Sequence, residues 1–329
     1  MLLLDRHEVE SLLDLGRLID ALGPAMAELS AGRVSMPERI MMHVPERGGL
    51  LAAMPVYRGV SRTLSTKLVS VFPENGAHGI PSHQAVILVF DAETGSPLAL
   101  MDGTFITAAR TAAGSALSAR LLSREDAHVL VIIGTGVQAH AHALTIPLVR
   151  PIREIRIVGR NGQKSARLAA EITTELGIQA SACELAAKTF ADALIICAAT
   201  HSAEPVVKGA WLKPGTHVTS VGLNPRGCEV GATAVLKSLV VVESRAAALA
   251  PNAGGANDLK WPIRDGLMRE GHIYAEIGEL VSGAKAGRTS PQQIILYKSV
   301  GVAVQDAVAA HLVLEAAQKA GVGREFKIN

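Results

Sequence analysis

The spacing of apolar positions changes twice along the first third of the chain. Over residues 1–35, Leu12, Leu13, Leu18, Ile19 and Leu22 recur at helical intervals. Asp5 stands three residues before Glu8 as a capping box, and Gly32 is placed to end the second of two helices. From Glu38 to Asp102 the period falls to two in ERIMMHV, GLLAAMPV, TLSTKLVSV, QAVILVF and PLALMD, with Gly, Pro and Asn between the runs. This predicts a meander of about five mostly antiparallel strands. GTFITAARTAAGSALSARLL then returns to helical spacing with no proline, and predicts one long helix.

Beyond that helix, the apolar runs HVLVII, EIRIVG, ALIICA, THVTSV and SLVVVE alternate with the helical stretches VQAHAHALTI and QKSARLAAEITTEL and a short turn near Ala232 to Leu236. Strands separated by helices join as right-handed parallel crossovers. The tail adds IILYKSVG and the helical DAVAAHLVLEAAQKAG, which is expected to return to the first domain and make it discontinuous. The expected fold is therefore α/β, with a doubly wound, mostly parallel sheet over residues 123–299. A discontinuous α+β domain over residues 1–122 is completed by a C-terminal helix in residues 300–329, with seams near Ser123 and Ser299.

Composition narrows the function classes. The 329 residues are 49% hydrophobic and 19% charged, enough apolar surface to offset the entropy of ordering. A net charge of +2 provides no large field for nucleic acid or an anionic membrane, so the expected partner is a small molecule. Cys183, Cys197 and Cys228 form no CxxC pair or zinc spacing, which points to a reducing cytoplasm, and the opening MLLLDR meets Asp5 and Arg6 before an export signal can form. The stretch Ala127 to Val149 carries no formal charge, but His128, His140, His142, Gln138, Gly134, Gly136 and Pro147 make it a poor membrane span. It reads as a buried strand, a glycine turn and a helix. His140 and His142, two apart on that helix, diverge, and no metal site is expected.

VLVIIGTGVQAHAHAL places Gly134, Gly136 and Ala139 as G-x-G-x-x-A between a strand and a helix, a dinucleotide signature in this context. The first glycine permits the tight turn, the second lets the backbone approach a pyrophosphate, and the helix N-terminus offers amides and a positive dipole end. The next strand runs into Arg160, followed by Asn161 and Lys164, with no Asp or Glu between Arg156 and Glu171. A ribose 2′-hydroxyl thus lacks its usual acidic partner, which favours NADP(H) and leaves NAD(H) as the alternative. The candidate cofactor residues are Thr111, Gly134, Thr135, Gly136, Val137, Gln138, Arg160, Asn161, Lys164, Ala198, Thr200, Val221 and Ser299.

Four further segments carry polar groups in apolar settings: PERIMMH with Arg39, STKLVSV with Lys67, PSHQAVILVF with His83, and DGTFITAARTAAGSA with Arg110 and Thr111. With the glycine turn, EPVVKGAWLKPGTHVTSVG, IYAEIGELVSG and LYKSVGVAVQDAVAA, they resemble the ornithine cyclodeaminase and mu-crystallin family of NAD(P)-dependent proteins over nearly the whole chain. The resemblance implies a homodimer paired through the N-terminal domain, a Rossmann domain, a substrate cleft between them, and action on cyclic imines, amino acids or keto acids. It also implies that Arg39, Lys67 and Arg110 bind the substrate carboxylate, with Lys67 near the reacting carbon. Such a clamp fixes orientation as well as charge, and two neighbouring cations would lower the Lys67 pKa and suit it to relay a proton. His83 is a candidate donor to substrate or cofactor, against an ordinary structural role at a strand start.

Two positions depart from the cyclodeaminases. Where those enzymes carry a glutamate for the distal ammonium, LLAAMPV has Ala52, and where they carry an aspartate after the fifth Rossmann strand, VGLNPRG has Asn224. Asparagine cannot ionise, leaving Asn224 only a hydrogen-bonding role in catalysis. The expected activity is NAD(P)H-dependent reduction of cyclic α-imino acids, Δ1-pyrroline-2-carboxylate or Δ1-piperideine-2-carboxylate, to L-proline or L-pipecolate. The alternatives are ornithine or lysine cyclodeamination, an alanine-dehydrogenase-like reaction, and non-catalytic NADP(H) binding.

Overall fold

The computed structural model describes residues 1–251 and 254–327. The chain forms two compact units, residues 1–110 with 302–329, and residues 111–301.

The first unit begins with β1 (Leu2–Leu4), α1 (Arg6–Leu12) and α2 (Leu15–Ser30). Asp5 and Glu8 form the expected capping box, and Gly32 follows α2 with a φ of 71°. After β2 (Val34–Ser35) come β3 (Ile40–Val44), β4 (Gly49–Arg58), β5 (Thr63–Val71), β6 (His83–Asp91) and β7 (Pro97–Asp102), the predicted antiparallel meander. The long helix α3 (Gly103–Leu122) starts in this unit, which α10 (Ala303–Ala320) and β16 (Arg324–Glu325) complete. The sheet order is β16-β1-β7-β6-β5-β4-β2, with β3 also on β4. One sheet face packs on α10, which in turn packs on α2, and buries Met54, Val56, Val69, Ile87 and Val89. The other remains apolar: register places Met42 beside Leu51 and Leu68 beside Val86, and Ile40, Met42 and Val86 are 67%, 62% and 41% exposed.

The second unit is a parallel sheet in the order β10-β9-β8-β11-β12-β15-β13-β14. Its strands are β8 (Val129–Ile133), β9 (Glu154–Val158), β10 (Gln179–Cys183), β11 (Ile195–Ala198), β12 (His217–Ser220), β13 (Leu239–Val242), β14 (Ile273–Glu276) and β15 (Ile295–Lys298). They are linked by α4 (Val137–Thr145), α5 (Gly162–Leu176), α6 (Ala232–Lys237), α7 (Arg245–Ala248), α8 (Asn257–Arg264) and α9 (Ile277–Val281). The chain winds outward from β8 through β9 to β10, then crosses to β11 and β12, as in a doubly wound Rossmann sheet. The apolar stretch 127–149 is the expected strand, turn and helix, and among the described residues no helix is long and apolar enough to cross a membrane.

Three boundaries differ from the sequence reading. The units divide at Arg110/Thr111 rather than at 122/123, because the later turns of α3 belong to the second unit. There Ser115 Oγ meets His142 Nε2 at 2.8 Å, Ser118 Oγ meets His217 Nε2 at 3.1 Å, and Arg150 and Arg288 donate to carbonyls at the helix end. The second division falls at Gly301/Val302, two residues past the predicted seam. The C-terminal helix stops at Ala320, where Gly321 takes a φ of 66°, and the chain turns into β16 against β1. Residues 328–329 of the predicted helix lie outside the described residues.

Candidate active site

Lys67 lies midway along β5 on the sheet face that packs against α10, at a position where alternation demands a buried side chain, and only 3% of it is exposed. An ammonium buried there needs a counter-charge. Asp306, in the first turn of α10, provides it: Lys67 Nζ lies 2.8 Å from Asp306 Oδ2. Arg110, on α3, donates from Nε to Asp306 Oδ1 at 2.9 Å and from Nη1 to Gln305 Oε1 at 3.0 Å. One turn earlier, Thr107 accepts from Lys67 Nζ at 3.4 Å and donates to the Gly103 carbonyl at 2.7 Å. One carboxylate thus holds two cations brought by a strand and a helix.

The protonation states follow. Burial pushes Lys67 down to about 8; Arg110 and Arg39 push in the same direction, and Asp306 opposes them. The predicted lowering is therefore present, but desolvation is its main cause and the neighbouring cations come second. Burial alone would raise the Asp306 carboxyl, yet Arg110 and Lys67 outweigh it and hold the group below the usual carboxylate range. His83, half-buried at the start of β6, is pushed down to about 4 by burial and by the charges of Lys67 and Arg110, so it is neutral at pH 7. Arg39, half-buried just before β3, acts on Lys67 through its charge. Among the described residues, Lys67 and Arg110 share the single carboxylate of Asp306, and this excess of positive charge suits the cluster to an anion.

All four residues that the sequence singled out in this half, Arg39, Lys67, His83 and Arg110, belong to one electrostatic cluster. Asp306, Gln305 and Thr107 were not singled out. A signal existed for two of them: Gln305 and Asp306 are adjacent polar residues in VAVQDAVAA, on a helix whose other buried positions are Ala, Val and Leu.

In the second unit the glycine turn has the shape a dinucleotide requires. Gly134 has a φ of 132°, and a Cβ there would stand 2.5 Å from the Ala199 carbonyl oxygen, so only glycine fits. Gly136 is the N-cap of α4, and a Cβ there would meet nothing within 4 Å. The backbone is open where a pyrophosphate would approach, Val137 beside it is 64% exposed, and Gln138 Oε1 is buried without a hydrogen-bond partner among the described residues. Ala139 is fully buried, as close helix packing requires. Thr135 is half-buried beside this turn, and Thr111 is buried on α3. These groups fit a dinucleotide diphosphate.

The outer candidates divide. Arg160 and Lys164 are exposed after β9, free of competing salt bridges among the described residues, whereas Asn161 caps α5 by accepting from the Lys164 amide at 3.0 Å. Ala198 is buried within β11 and Val221 is half-buried after β12. The Thr200 amide donates to Glu229 Oε1 at 2.6 Å. Ser299 is buried and donates to Glu243 at 2.9 Å, a bond that ties its hydroxyl to the strand end. Asn224 braces its own loop: its amide donates to the His201 carbonyl at 2.8 Å and its oxygen accepts from the Arg226 amide at 2.9 Å. Both polar ends of its side chain are thus engaged within the loop after β12.

Comparison with known proteins agrees with this arrangement. The model of the ornithine cyclodeaminase/mu-crystallin family matches residues 1–321. The chain is 36% identical over 302 residues to the ketimine reductase mu-crystallin of Mus musculus, covering 91% of each chain. It is 33% identical over 329 residues to a Δ1-pyrroline-2-carboxylate reductase of Bacillus cereus, covering 99% of this chain and 100% of the relative. Among solved structures, the Δ1-pyrroline-2-carboxylate reductase of Thermococcus litoralis in complex with NADH and L-proline matches with a TM-score of 0.95 and 39% identity, over 99% of this chain and 100% of the other. By motif, fold and whole-chain similarity, the chain belongs to the ornithine cyclodeaminase/mu-crystallin family.

Proposed function

We propose that this protein is an NAD(P)H-dependent oxidoreductase that reduces cyclic α-imino acids, Δ1-pyrroline-2-carboxylate or Δ1-piperideine-2-carboxylate, to L-proline or L-pipecolate. The observation that carries the reading is the buried Lys67–Asp306–Arg110 cluster in a chain whose relatives are named for this chemistry. Ala52 favours it over cyclodeamination of a diamino acid. That residue is 3% exposed on the inner face of β4, the face that carries Lys67 on β5, and offers no acceptor for a distal ammonium.

In this mechanism Arg39, Lys67 and Arg110 hold the substrate carboxylate and so fix which face of C2 is presented. The Gly134–Gly136 turn would hold a dinucleotide, whose nicotinamide would supply the hydride when bound. Lys67, with a pKa near 8, gives or relays the proton that leaves the imine nitrogen as a secondary amine; one proton and one hydride enter. Asp306 stays ionised and offsets part of the positive field that would oppose an iminium, and His83, neutral at pH 7, adds no charge against it. NADP(H) is the favoured cofactor and NAD(H) the alternative, since Arg160 and Lys164 follow β9 without an intervening carboxylate. Unpaired Cys183, Cys197 and Cys228 support a cytoplasmic location. The apolar outer face of the first sheet supports a homodimer, because so large an exposed patch marks an interface.

Purified protein is expected to oxidise NADPH, or NADH less well, when given either cyclic imine; release of ammonia from ornithine without net cofactor use would contradict the reading. Lys67→Met and Arg110→Met should each lower kcat/KM by about 10²-fold or more, the cost of removing one partner from a buried charged contact. Pyrrole-2-carboxylate, which has no basic nitrogen, should bind as an inhibitor that weakens as pH rises through about 8, because Lys67 loses its proton there. Asp306→Asn removes the charge that opposes this loss, so its inhibition profile should break at lower pH; an unchanged break would separate Lys67 from the effect. Val86→Lys on the outer sheet face should convert a dimer into monomers in light scattering, whereas a wild-type monomer would refute the homodimer.

A further inference from the structure

A second buried charge cluster lies in the second unit, built from residues other than those of the Lys67 cluster. Glu229 is 2% exposed and accepts three hydrogen bonds: from the Thr200 amide at 2.6 Å, the Gly222 amide at 2.9 Å and Ser220 Oγ at 2.8 Å. Lys298 is fully buried at the end of β15 and reaches Ser220 Oγ at 2.9 Å, the Gly222 carbonyl at 2.6 Å and Asp258 Oδ2 at 3.0 Å. Asp258, on α8, accepts from the amides of Glu229 and Val230 at 2.8 and 2.7 Å. A single network of side chains therefore ties together the ends of three adjacent strands, β11, β12 and β15.

Its position carries the argument. The parallel ladder ends in one row, Ile133–Ala198–Ser220–Lys298, and the glycine turn starts from the same row at the end of β8. The cluster occupies the same edge as the phosphate turn, with β12 two strand spacings from β8, about 10 Å. In a doubly wound sheet the dinucleotide lies across the carboxyl ends of the strands on both sides of the switch point, with the pyrophosphate at the first glycine turn. The half on the β9 side faces Arg160, so the nicotinamide half falls on the β11–β12 side. Glu229 fixes the two loops there by their backbone amides, and a Cβ on Gly222 would stand 2.2 Å from the Thr200 carbonyl, so these loops are also in close contact. Buried ion networks of this kind contribute little net stability over apolar packing, and their attested value is to specify one arrangement.

We propose that Glu229, held by Ser220, Lys298 and Asp258, is a positioning residue for the nicotinamide half of the cofactor: it sets the edge formed by the loops after β11 and β12 without touching the ring. The proposal rests on the dinucleotide reading above. The test compares the binding, measured by calorimetry, of NADPH and NADH with that of ADP-ribose and its 2′-phosphate, which lack the nicotinamide. Ser220→Ala is the mild variant, removing the hydroxyl shared by Glu229 and Lys298, and Glu229→Gln is the stronger one. Each should weaken binding of the reduced dinucleotides by about tenfold, the loss of one well-placed hydrogen bond, and leave ADP-ribose within about twofold. Equal weakening of both ligand classes, or no weakening of either by folded Ser220→Ala protein, would overturn the positioning role. Wild-type protein that binds neither class would overturn the dinucleotide reading beneath it.

Discussion

The first unit is organised around one carboxylate that must stay ionised while buried. Asp306 is held by Lys67 and Arg110, and those cations are tolerable in an apolar interior only because Asp306 is there. The three side chains come from β5, α3 and α10, with Arg110 and its partner separated by 196 positions in the sequence, so the contact forms only when the C-terminal helix has docked on the meander. Removing the carboxylate would leave like charges facing each other in low dielectric. Because it neutralises only part of the charge, an anionic ligand still finds a positive field, and Lys67 sits near the pKa at which a proton moves readily at physiological pH.

Much of this was legible in the sequence. The period-two runs located the five strands of the meander, the proline-free Ala- and Leu-rich stretch marked α3 from end to end, and the glycine pattern with its flanking strand and helix located the dinucleotide turn. Polar residues set in apolar runs marked the segments of Lys67 and Arg110, and the resemblance to the family gave those two residues their expected role. The parts that escaped were those whose periodicity carries no local signature. β1 and β16 are three- and two-residue strands defined by their partners, and β10, β14 and the short helices α7 to α9 are set by packing in the second unit. The seam within α3 escaped for a related reason: a continuous helix shows no break where its contacts pass from one set of neighbours to another. Asp306 escaped because it meets Lys67 and Arg110 only in the folded chain, far from both in sequence.

The two units solve similar problems by different means. The second builds its ligand edge from backbone, with Gly134 in a conformation closed to other residues and Gly136 open at the start of α4, and holds the neighbouring loops by the Glu229–Lys298–Asp258 network. The anion site proposed for the first is made of side chains, which need a counter-ion to stay buried. This division matches the ligands proposed for each, a diphosphate that backbone amides cradle and a single carboxylate that a forked guanidinium and an ammonium orient.

The most direct test of the central claim is a crystal structure of the protein with NADPH and pyrrole-2-carboxylate. The account requires the ligand carboxylate within hydrogen-bonding distance of both Lys67 and Arg110, with Asp306 still paired to them. A carboxylate bound away from these two side chains, or an Asp306 released to solvent while the ligand binds, would contradict it.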